Sequence, residues 1–219
     1  MITAVLFDLD GTLYDRDRLA TDLFHAQYAA FAHELHGIAH ERFLRDAVAM
    51  DDHGYGVKED GYRALVQSWG LDAALADRLI SHFWASYDAH FDLSDDVRQT
   101  LAELRRRGLK LGVVTNGPSA MQRRKLAVLG IEHVFDAILV SGEEGVRKPD
   151  AEIFRRALAR CGVAAHEALF VGDHPVADVE GAHRAGLRAV WKHVPYWPAV
   201  ITDAPTIRAL NQVLQLAEP

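Results

Sequence analysis

Residues 5–13 read VLFDLDGTL, and the rest of the chain is arranged around this stretch. A short apolar run ends at Asp8, and Asp10, Gly11 and Thr12 follow it. A buried strand of a parallel sheet has such a continuous apolar sequence. Open α/β sheets bind ligands outside the carboxyl ends of their strands, which makes both carboxylates candidate site residues. The alternative is an ordinary turn, because Asp and Gly also favour turns.

Composition excludes several classes of protein. The chain has 219 residues and is 49% hydrophobic, which is enough for one large domain or a domain that carries a smaller one. A net charge of -7 argues against a nucleic acid polymer as partner. The single cysteine, Cys161, suits a reducing compartment. Since the sequence shows neither a signal-peptide pattern nor an apolar run of about 20 residues, we expect a cytoplasmic protein with no membrane association. We expect a monomer or a homodimer.

A block of helical pattern follows the first strand. Residues 15–90 carry apolar side chains at helical spacing and show no strand alternation. The block is too long for an ordinary crossover between two strands. We therefore predict an inserted helical domain at 15–90, and an α/β core domain made of 1–14 and 91–219. The predicted helices of the insertion lie near 18–36, 41–50, 58–69 and 73–87.

The remainder alternates between strand and helix patterns. This alternation predicts an α/β fold with a doubly wound, Rossmann-like parallel sheet that helices cover on both faces. Beyond the first strand, the sequence predicts strands at 109–114, 137–140, 169–171 and 189–191, a helix at 176–185, and a closing helix at 207–216.

Polar residues follow strand after strand. Thr115 and Asn116, Ser141 and Glu143, and Asp173 come directly after predicted strands, and parallel strands end at one edge of a sheet. Carboxylates that cluster repel one another unless they are protonated or bind a cation, and oxygen ligands favour Mg²⁺. The ammonium group of a lysine is a point positive charge that is suited to binding phosphate. These residue types suggest magnesium-assisted phosphoryl transfer.

Four motifs follow one another along the chain: Asp8-Leu9-Asp10-Gly11-Thr12, Thr115-Asn116-Gly117, Lys148-Pro149, and Gly172-Asp173 with Asp178. In this order they resemble the motifs of the haloacid dehalogenase superfamily, and the resemblance covers nearly the whole chain, from Val5 to about Trp191. The inserted helical block resembles the cap that many members carry after the first motif. The resemblance implies a phosphatase of this superfamily that acts on a small phosphorylated metabolite.

The resemblance implies a role for each matching carboxylate. Asp8 is expected to attack phosphorus and form an aspartyl-phosphate. Asp10 is expected to protonate the leaving alcohol and then to accept a proton from the attacking water. The carboxylates of Asp8 and Asp173 and the main-chain carbonyl of Asp10 are expected to bind Mg²⁺. Asp178 is expected to orient the metal site or Lys148. The alternative interpretation is that it is an acidic residue in the first turn of a helix, where the helix dipole favours a negative charge.

The remaining matches concern the phosphoryl group. Thr115 and the main-chain N–H of Asn116 are expected to hydrogen-bond its oxygens, and Lys148 is expected to neutralise its charge. His174 stands where relatives often have a small hydroxyl residue. It either tunes the site or is a solvated side chain.

Other polar and aromatic groups have less specific interpretations. Three histidines, His33, His36 and His40, have helical spacing, but solvated side chains are a better interpretation than a zinc site. Three aromatic residues lie near the end of the chain: Trp191, Tyr196 and Trp197. Packing in the core or at the sheet edge is a better interpretation of them than stacking on a nucleotide base. The candidate substrate contacts of the cap, each with a surface side chain as its alternative, are Tyr14, Asp15, Arg18, His53, Tyr55 and Lys58.

Several alternatives stay open. Haloacid dehalogenases lack an acid/base aspartate two residues after the nucleophile, so Asp10 favours phosphatase chemistry. A sugar phosphomutase carries the same four motifs. A phosphoryl-accepting signalling domain also places Asp, Thr and Lys at strand ends, but it lacks a helical insertion of this size. A non-catalytic binding protein is disfavoured because every catalytic position holds the expected residue type.

Overall fold

Among residues 1–197 and 203–218, which the computed structural model describes, six strands form one parallel sheet. They are β1 Ala4–Phe7, β2 Lys110–Thr115, β3 Ala137–Val140, β4 Ala168–Gly172, β5 Arg188–Lys192 and β6 Thr206–Ile207. Their order across the sheet is β3-β2-β1-β4-β5-β6.

The first strand, β1, lies in the middle of the sheet and is buried along its whole length. Phe7 is in register with Val113 of β2 and with Val171 of β4. The order of strands reverses between β1 and β4, and such a switch point opens a crevice beyond the carboxyl ends of the two strands. With helices on both faces of the sheet, the predicted doubly wound α/β fold is confirmed.

The chain folds into two compact units, one made of Met1–Tyr14 with Leu93–Pro219 and the other of Asp15–Asp92. The second unit, all of which is described, contains four α-helices. They are α1 Arg16–Ala30, α2 His40–Asp51, α3 Lys58–Ser68 and α4 Ala74–Ser86.

Aromatic side chains fill the interior of the helical unit. Phe83 packs against Phe24 and Tyr62, with ring centroids 6.1 Å apart in each pair. The Tyr62 hydroxyl donates to Oε1 of Gln27 at 2.7 Å, and Gln27 Nε2 donates to the Leu79 carbonyl at 2.8 Å. These bonds satisfy polar groups that would otherwise be costly to bury.

The first helix ends earlier than the sequence predicts. The pattern predicts a helix to residue 36, but α1 stops at Ala30, and residues 31–37 form turns. Leu35 is still buried, so the apolar spacing continues past the end of the helix. The Tyr28 hydroxyl donates to the Ile38 carbonyl at 2.9 Å, which ties the turn segment back onto α1.

The helices of the α/β unit lie between and beyond the strands. Phe154 and Phe170 meet edge to face with centroids 4.9 Å apart in its buried core. In the described part of the chain, no helix has the combined length and apolar character that crossing a bilayer requires. The helices are α5 Asp95–Arg106, α6 Ser119–Leu129, α7 Ser141–Glu144, α8 Ala151–Cys161, α9 Gly181–Arg184 and α10 Val213–Leu216.

The segment after β4 is not the single α-helix that the pattern predicts at 176–185. Pro175–Glu180 forms a π-helical turn, and α9 follows it. The His174 ring accepts, through Nδ1, hydrogen bonds from the N–H groups of Val176 and Ala177, both at 3.1 Å. This side-chain cap satisfies two N–H groups at the start of the segment that have no acceptor within the helix.

The end of the chain also differs from the prediction of a helix at 207–216. Thr206–Ile207 forms β6, which pairs with Trp191 and Lys192 of β5, and only Val213–Leu216 is α-helical. A two-residue strand has no periodicity to detect, and its pairing with β5 is a tertiary contact.

Candidate active site

Asp8 continues the line of β1 at the switch point. Its N–H donates to the Val171 carbonyl at 2.9 Å, which extends the pairing with β4. The side chain is only 6% exposed, and its Oδ1 accepts a hydrogen bond from Lys148 Nζ at 2.5 Å. Burial, followed by the neighbouring carboxylates, raises the pKa of Asp8 well above its usual range, although the Lys148 charge acts in the opposite direction.

Lys148 joins two of the predicted carboxylates. Its ammonium group also donates to Oδ1 of Asp178 at 2.7 Å, and both side chains are almost fully buried. Burial by itself would lower the pKa of Lys148, but the charges of Asp178 and Asp8 raise it above its ordinary value. Lys148 is therefore a permanent positive charge beside Asp8.

Asn116 holds Lys148 from the neighbouring strand end. Its side-chain Nδ2 donates to the Lys148 carbonyl at 3.0 Å, and its Oδ1 accepts from the Lys148 N–H at 2.9 Å. The sequence predicted a role for the main-chain N–H of Asn116 only. The side chain has a separate structural role, which is to fix the backbone that carries the lysine.

Asp173 follows β4 and is surrounded by donors from the segment after β5. The hydroxyl of Tyr196 and Nε1 of Trp197 each donate to its Oδ2 at 2.9 Å. Trp191 Nε1 donates to its main-chain carbonyl at 2.7 Å. The sequence favoured packing for these aromatic residues and missed their polar N–H and O–H groups, although the position of Tyr196 and Trp197 after a strand was a usable signal.

Three buried carboxylates converge. One oxygen from each of Asp8, Asp173 and Asp178 lies within 4.8 Å of the others. Burial and the charge of Asp178 raise the pKa of Asp173 to about 6, even though Trp197 and Tyr196 hydrogen-bond to it. Oxygen ligands that repel one another suit a hard divalent cation, so the donor set fits Mg²⁺. Asp178 is thus part of this carboxylate cluster and also accepts the hydrogen bond from Lys148.

Asp10 has a different environment, which α6 largely provides. Lys125 Nζ donates to its Oδ1 at 2.6 Å and Gln122 Nε2 donates to its Oδ2 at 2.8 Å, while the Tyr14 hydroxyl also hydrogen-bonds to Oδ1. Burial would raise the pKa of Asp10, but the Lys125 charge and these hydrogen bonds lower it to about 2. Neither Gln122 nor Lys125 was among the predicted site residues.

Thr115 lies at the end of β2 and is buried. Its Oγ1 accepts a hydrogen bond from the same Gln122 Nε2 at 2.6 Å. The predicted phosphate-binding hydroxyl and the predicted acid/base are thus connected through one amide group. His174, which the sequence left as a residue that tunes the site or is solvated, has a structural role. Its side chain caps the π-helical turn, and its main-chain N–H donates to Oδ2 of Asp178 at 2.9 Å.

The predicted substrate contacts of the helical unit differ in their surroundings. Lys58 is buried, and its Nζ lies 2.9 Å from Oδ1 of Asp51 and donates to the Gly56 carbonyl at 2.7 Å. These contacts favour a role inside the unit. Two of the other candidates are exposed: Tyr55, and Arg18, which pairs with Asp22. The Asp15 side chain caps α1, and the His53 ring contacts the Asp17 carboxylate. Tyr14 belongs to the α/β unit.

The three histidines with helical spacing do not share a helix. His33 and His36 lie in the turns after α1, and His40 begins α2. Among the described residues, the only group of three or more His, Cys, Asp or Glu side chains that could hold a metal ion is the one at Asp8. A zinc site at these histidines therefore has no support.

Comparisons with known proteins agree on one family. A family model for haloacid dehalogenase-like hydrolases matches residues 2–186. The glyceraldehyde 3-phosphate phosphatase of Methanopyrus kandleri is 35% identical over 201 residues, which cover 87% of this chain and 83% of that protein. The phosphoserine phosphatase of Thermus thermophilus is 50% identical over 101 residues, which cover 46% of this chain and only 41% of that protein.

A solved structure extends the likeness to nearly the full length. The crystal structure of a haloacid dehalogenase-superfamily phosphatase from Thermococcus onnurineus matches with a TM-score of 0.66 and 28% sequence identity. The match covers 98% of this chain and 97% of that one. The fold of nearly the whole chain therefore has a counterpart in a solved structure.

Proposed function

This chain belongs to the haloacid dehalogenase-like hydrolases, and we propose that it is a magnesium-dependent phosphatase of a small phosphorylated metabolite. Its hydrolysis of phosphoric monoesters is supported by relatives that are named phosphatases. One observation carries the proposal: Asp8 and Asp10 are two residues apart, yet Lys148 holds one and Lys125 holds the other. Two carboxylates in such different surroundings suit two different roles.

Asp8 is the nucleophile in this proposal. Lys148 binds its Oδ1, and its second carboxylate oxygen attacks phosphorus and forms an aspartyl-phosphate. As the new O–P bond forms, the bond from phosphorus to the alcohol oxygen breaks. Lys148 stabilises the negative charge of the transferring group, and the Thr115 hydroxyl and the Asn116 main-chain N–H bind its oxygens.

Asp10 is the proton donor and acceptor. In the free protein its low pKa makes it a carboxylate at neutral pH. The negative charge of a bound phosphate ester raises the proton affinity of a neighbouring carboxylate, which favours the protonated form that can act as an acid. After Asp10 gives its proton to the leaving alcohol, it is again a carboxylate and can take a proton from the water that hydrolyses the aspartyl-phosphate.

The proposed magnesium ligands are the carboxylates of Asp8 and Asp173 and the main-chain carbonyl of Asp10. One carboxylate oxygen of Asp178 lies within 4.8 Å of an oxygen of Asp8 and of Asp173. When bound, the ion supplies positive charge to the transferring phosphoryl group. Tyr196 and Trp197 orient Asp173 through their hydrogen bonds to Oδ2.

We propose the helical unit, Asp15–Asp92, as the cap of the enzyme. Exposed side chains of this unit, Arg18 and Tyr55, stay candidates for substrate contacts, whereas Tyr14 is buried and its hydroxyl already hydrogen-bonds to Asp10. Lys58 is a weaker candidate because its ammonium group is paired with Asp51. The named activity of the Methanopyrus kandleri relative favours a three-carbon sugar phosphate as the first substrate to test.

A haloacid dehalogenase and a sugar phosphomutase are the competing functions on this fold. The hydrogen bonds that fix Asp10 favour chemistry that needs an acid/base, which a dehalogenase of this family does not use at this position. A mutase returns the phosphoryl group to a sugar instead of to water. Release of inorganic phosphate separates the phosphatase from both alternatives.

The test is hydrolysis of 4-nitrophenyl phosphate and of glyceraldehyde 3-phosphate, each with Mg²⁺ and with EDTA. We expect phosphate release that requires the metal and that falls at least about a thousandfold in Asp8→Asn, because the variant lacks the nucleophile. Asp95→Asn, an exposed carboxylate of α5, is the matched control and should keep full activity. Activity that survives in Asp8→Asn would reject the assignment of the nucleophile.

A further inference from the structure

Helix α6 presents two buried polar side chains to the same carboxyl group. Gln122 and Lys125 are three residues apart and therefore lie on one face of the helix. They are 1% and 8% exposed. Gln122 Nε2 reaches Oδ2 of Asp10 at 2.8 Å, and Lys125 Nζ reaches Oδ1 at 2.6 Å. Each oxygen of Asp10 thus has its own donor from α6.

Burial on this scale is unusual for such side chains. Lysine is almost never buried unless its charge is paired, and ordering a long side chain costs conformational entropy. The proposed reaction assigns no step to Lys125 or Gln122. Their hydrogen bonds to Asp10 therefore point to a role other than bond making or proton transfer.

Two donors on two different oxygens restrict the rotation of a carboxyl group. The terminal torsion of an aspartate has broad minima, so an unrestrained Asp10 would sample many orientations. With Lys125 on one oxygen and Gln122 on the other, the plane of the carboxyl group is set relative to α6. Gln122 also contacts Thr115 Oγ1, which relates this plane to the proposed phosphate-binding hydroxyl.

We propose that Lys125 and Gln122 are positioning residues, which hold the Asp10 carboxyl group in the orientation that protonates the leaving alcohol. The proposal rests on the proposed role of Asp10 as acid/base. In the step concerned, the Asp10 proton passes to the bridging ester oxygen while that oxygen keeps the electron pair of the breaking P–O bond. Correct orientation of the donor accelerates such a step without changing its chemistry.

The leaving group distinguishes positioning from a general loss of structure. An alkyl alkoxide is a poor leaving group and needs the proton, whereas 4-nitrophenolate leaves without one. Misorienting Asp10 should therefore slow the transfer from an alkyl phosphate more than the transfer from 4-nitrophenyl phosphate. The value of kcat/KM reports this first transfer even where hydrolysis of the aspartyl-phosphate limits kcat.

The experiment measures kcat/KM of Lys125→Met and Gln122→Leu for 4-nitrophenyl phosphate and for glycerol 3-phosphate. General acid catalysis contributes about 10²–10⁴-fold, so we expect the alkyl ester to lose at least about tenfold more than the aryl ester in each variant. Lys125→Arg, which keeps the charge and the donors, should recover part of the alkyl activity. The control Lys110→Met removes an exposed lysine that pairs with Asp136, and should slow neither ester.

A double-mutant cycle completes the test. Asp10→Asn should itself lose activity selectively on the alkyl ester, and adding Lys125→Met to Asp10→Asn should then have no further selective effect. Equal loss on both esters in Asp10→Asn would reject the proposed role of Asp10. Selective loss in Asp10→Asn, together with equal loss or no loss in Lys125→Met and Gln122→Leu, would reject the positioning role alone. If Lys125→Met does not fold, Lys125→Arg takes its place. That variant should then lose activity selectively on the alkyl ester, by a smaller factor than Asp10→Asn does.

Discussion

Asp8 and Asp10 have opposite electrostatic environments although only Leu9 separates them. Burial and nearby carboxylates raise the pKa of Asp8, whereas the pKa of Asp10 is lowered to about 2 against the effect of burial. In a continuous strand, side chains two residues apart would share one face, but β1 ends at Phe7 and the chain bends at Leu9, so the two carboxylates meet different neighbours. This separation supports the proposed division between a nucleophile and a proton shuttle.

Asn116 leads to a prediction for a single side chain. Its amide bonds both the N–H and the carbonyl of Lys148, so Asn116→Ala removes two partners from that backbone but keeps the main-chain N–H proposed for phosphate. We expect the free energy of unfolding to fall by about 1–3 kcal/mol. We expect kcat to fall about 10–100-fold, as for other groups that orient a site residue. Thermal unfolding and steady-state kinetics measure the two effects.

The control for this substitution is Asn211→Ala, which shortens an exposed asparagine of the same unit. It should change neither the unfolding temperature nor kcat. An Asn116→Ala variant with wild-type kinetics would show that Lys148 does not depend on this amide for its position.

The π-helical turn after β4 brings Asp178 back against the strand. A Cβ atom at Gly172 would lie 2.4 Å from Cβ and Cγ of Asp178, so only glycine leaves room for this approach. Turns of this kind occur often at functional sites, where they redirect one side chain. Here the redirected side chain is the one that binds Lys148.

Gly172→Ala is therefore a prediction about the turn as an element. The added methyl group must displace Asp178, and we expect a loss of about 1–3 kcal/mol in the free energy of unfolding together with a strong fall in kcat. Gly112→Ala on β2 is the matched control, because its methyl group would meet mainly the end of the Leu6 side chain, at 2.6 Å. That variant should lose some stability and keep its kcat once folded. Equal kcat values in the two variants would contradict the proposed role of the turn.

At the scale of the whole molecule, each unit has its own buried charge network. In the helical unit, Arg16 Nη2 donates to Oδ1 of Asp51 at 2.7 Å, and Lys58 lies 2.9 Å from the same oxygen. Burial would raise the pKa of Asp51, but the hydrogen bond and charge of Arg16, followed by Lys58, lower it overall. A group with a lowered pKa in the folded state stabilises the protein above its unfolded pKa, and this stabilisation is lost as the pH falls through the folded value.

This network predicts how stability changes with pH. Asp51→Asn leaves two buried cations without their carboxylate, and we expect the free energy of unfolding at neutral pH to fall by about 3–5 kcal/mol. The difference in unfolding temperature between the wild type and the variant should shrink once the pH falls below about 4, near the unfolded pKa of aspartate. Thermal melts followed by circular dichroism between neutral and acidic pH test this.

Asp77→Asn is the control for the pH series, since Asp77 is an exposed partner of Arg63 in the same unit. Its effect should stay within about 0.5 kcal/mol at every pH. A stability difference for Asp51→Asn that does not change with pH would mean that the Asp51 charge is not what stabilises the unit.

The sequence alone was sufficient for the α/β fold and for the residues that follow its strands. Buried parallel strands are continuous apolar runs, and their ends share one edge of the sheet, so Asp8, Thr115 and Asp173 were predictable from local pattern. The order of the motifs added Lys148. Short or irregular segments were not predictable in this way: β6 has only two residues, and the segment after β4 starts with a π-helical turn, which the apolar spacing did not distinguish from an α-helix.

Only the tertiary structure showed which groups surround these residues. Lys125 and Asp10 are 115 positions apart in the chain, and Trp197 and Asp173 are 24 apart, yet each pair is joined by a hydrogen bond. Such contacts depend on the rotation of a helix and on the path of a segment across the sheet, which local periodicity does not encode. The sequence therefore determined which carboxylates follow the central strands, and packing decided which lysine each one meets, because short-range electrostatics depends on distances that only the folded chain sets.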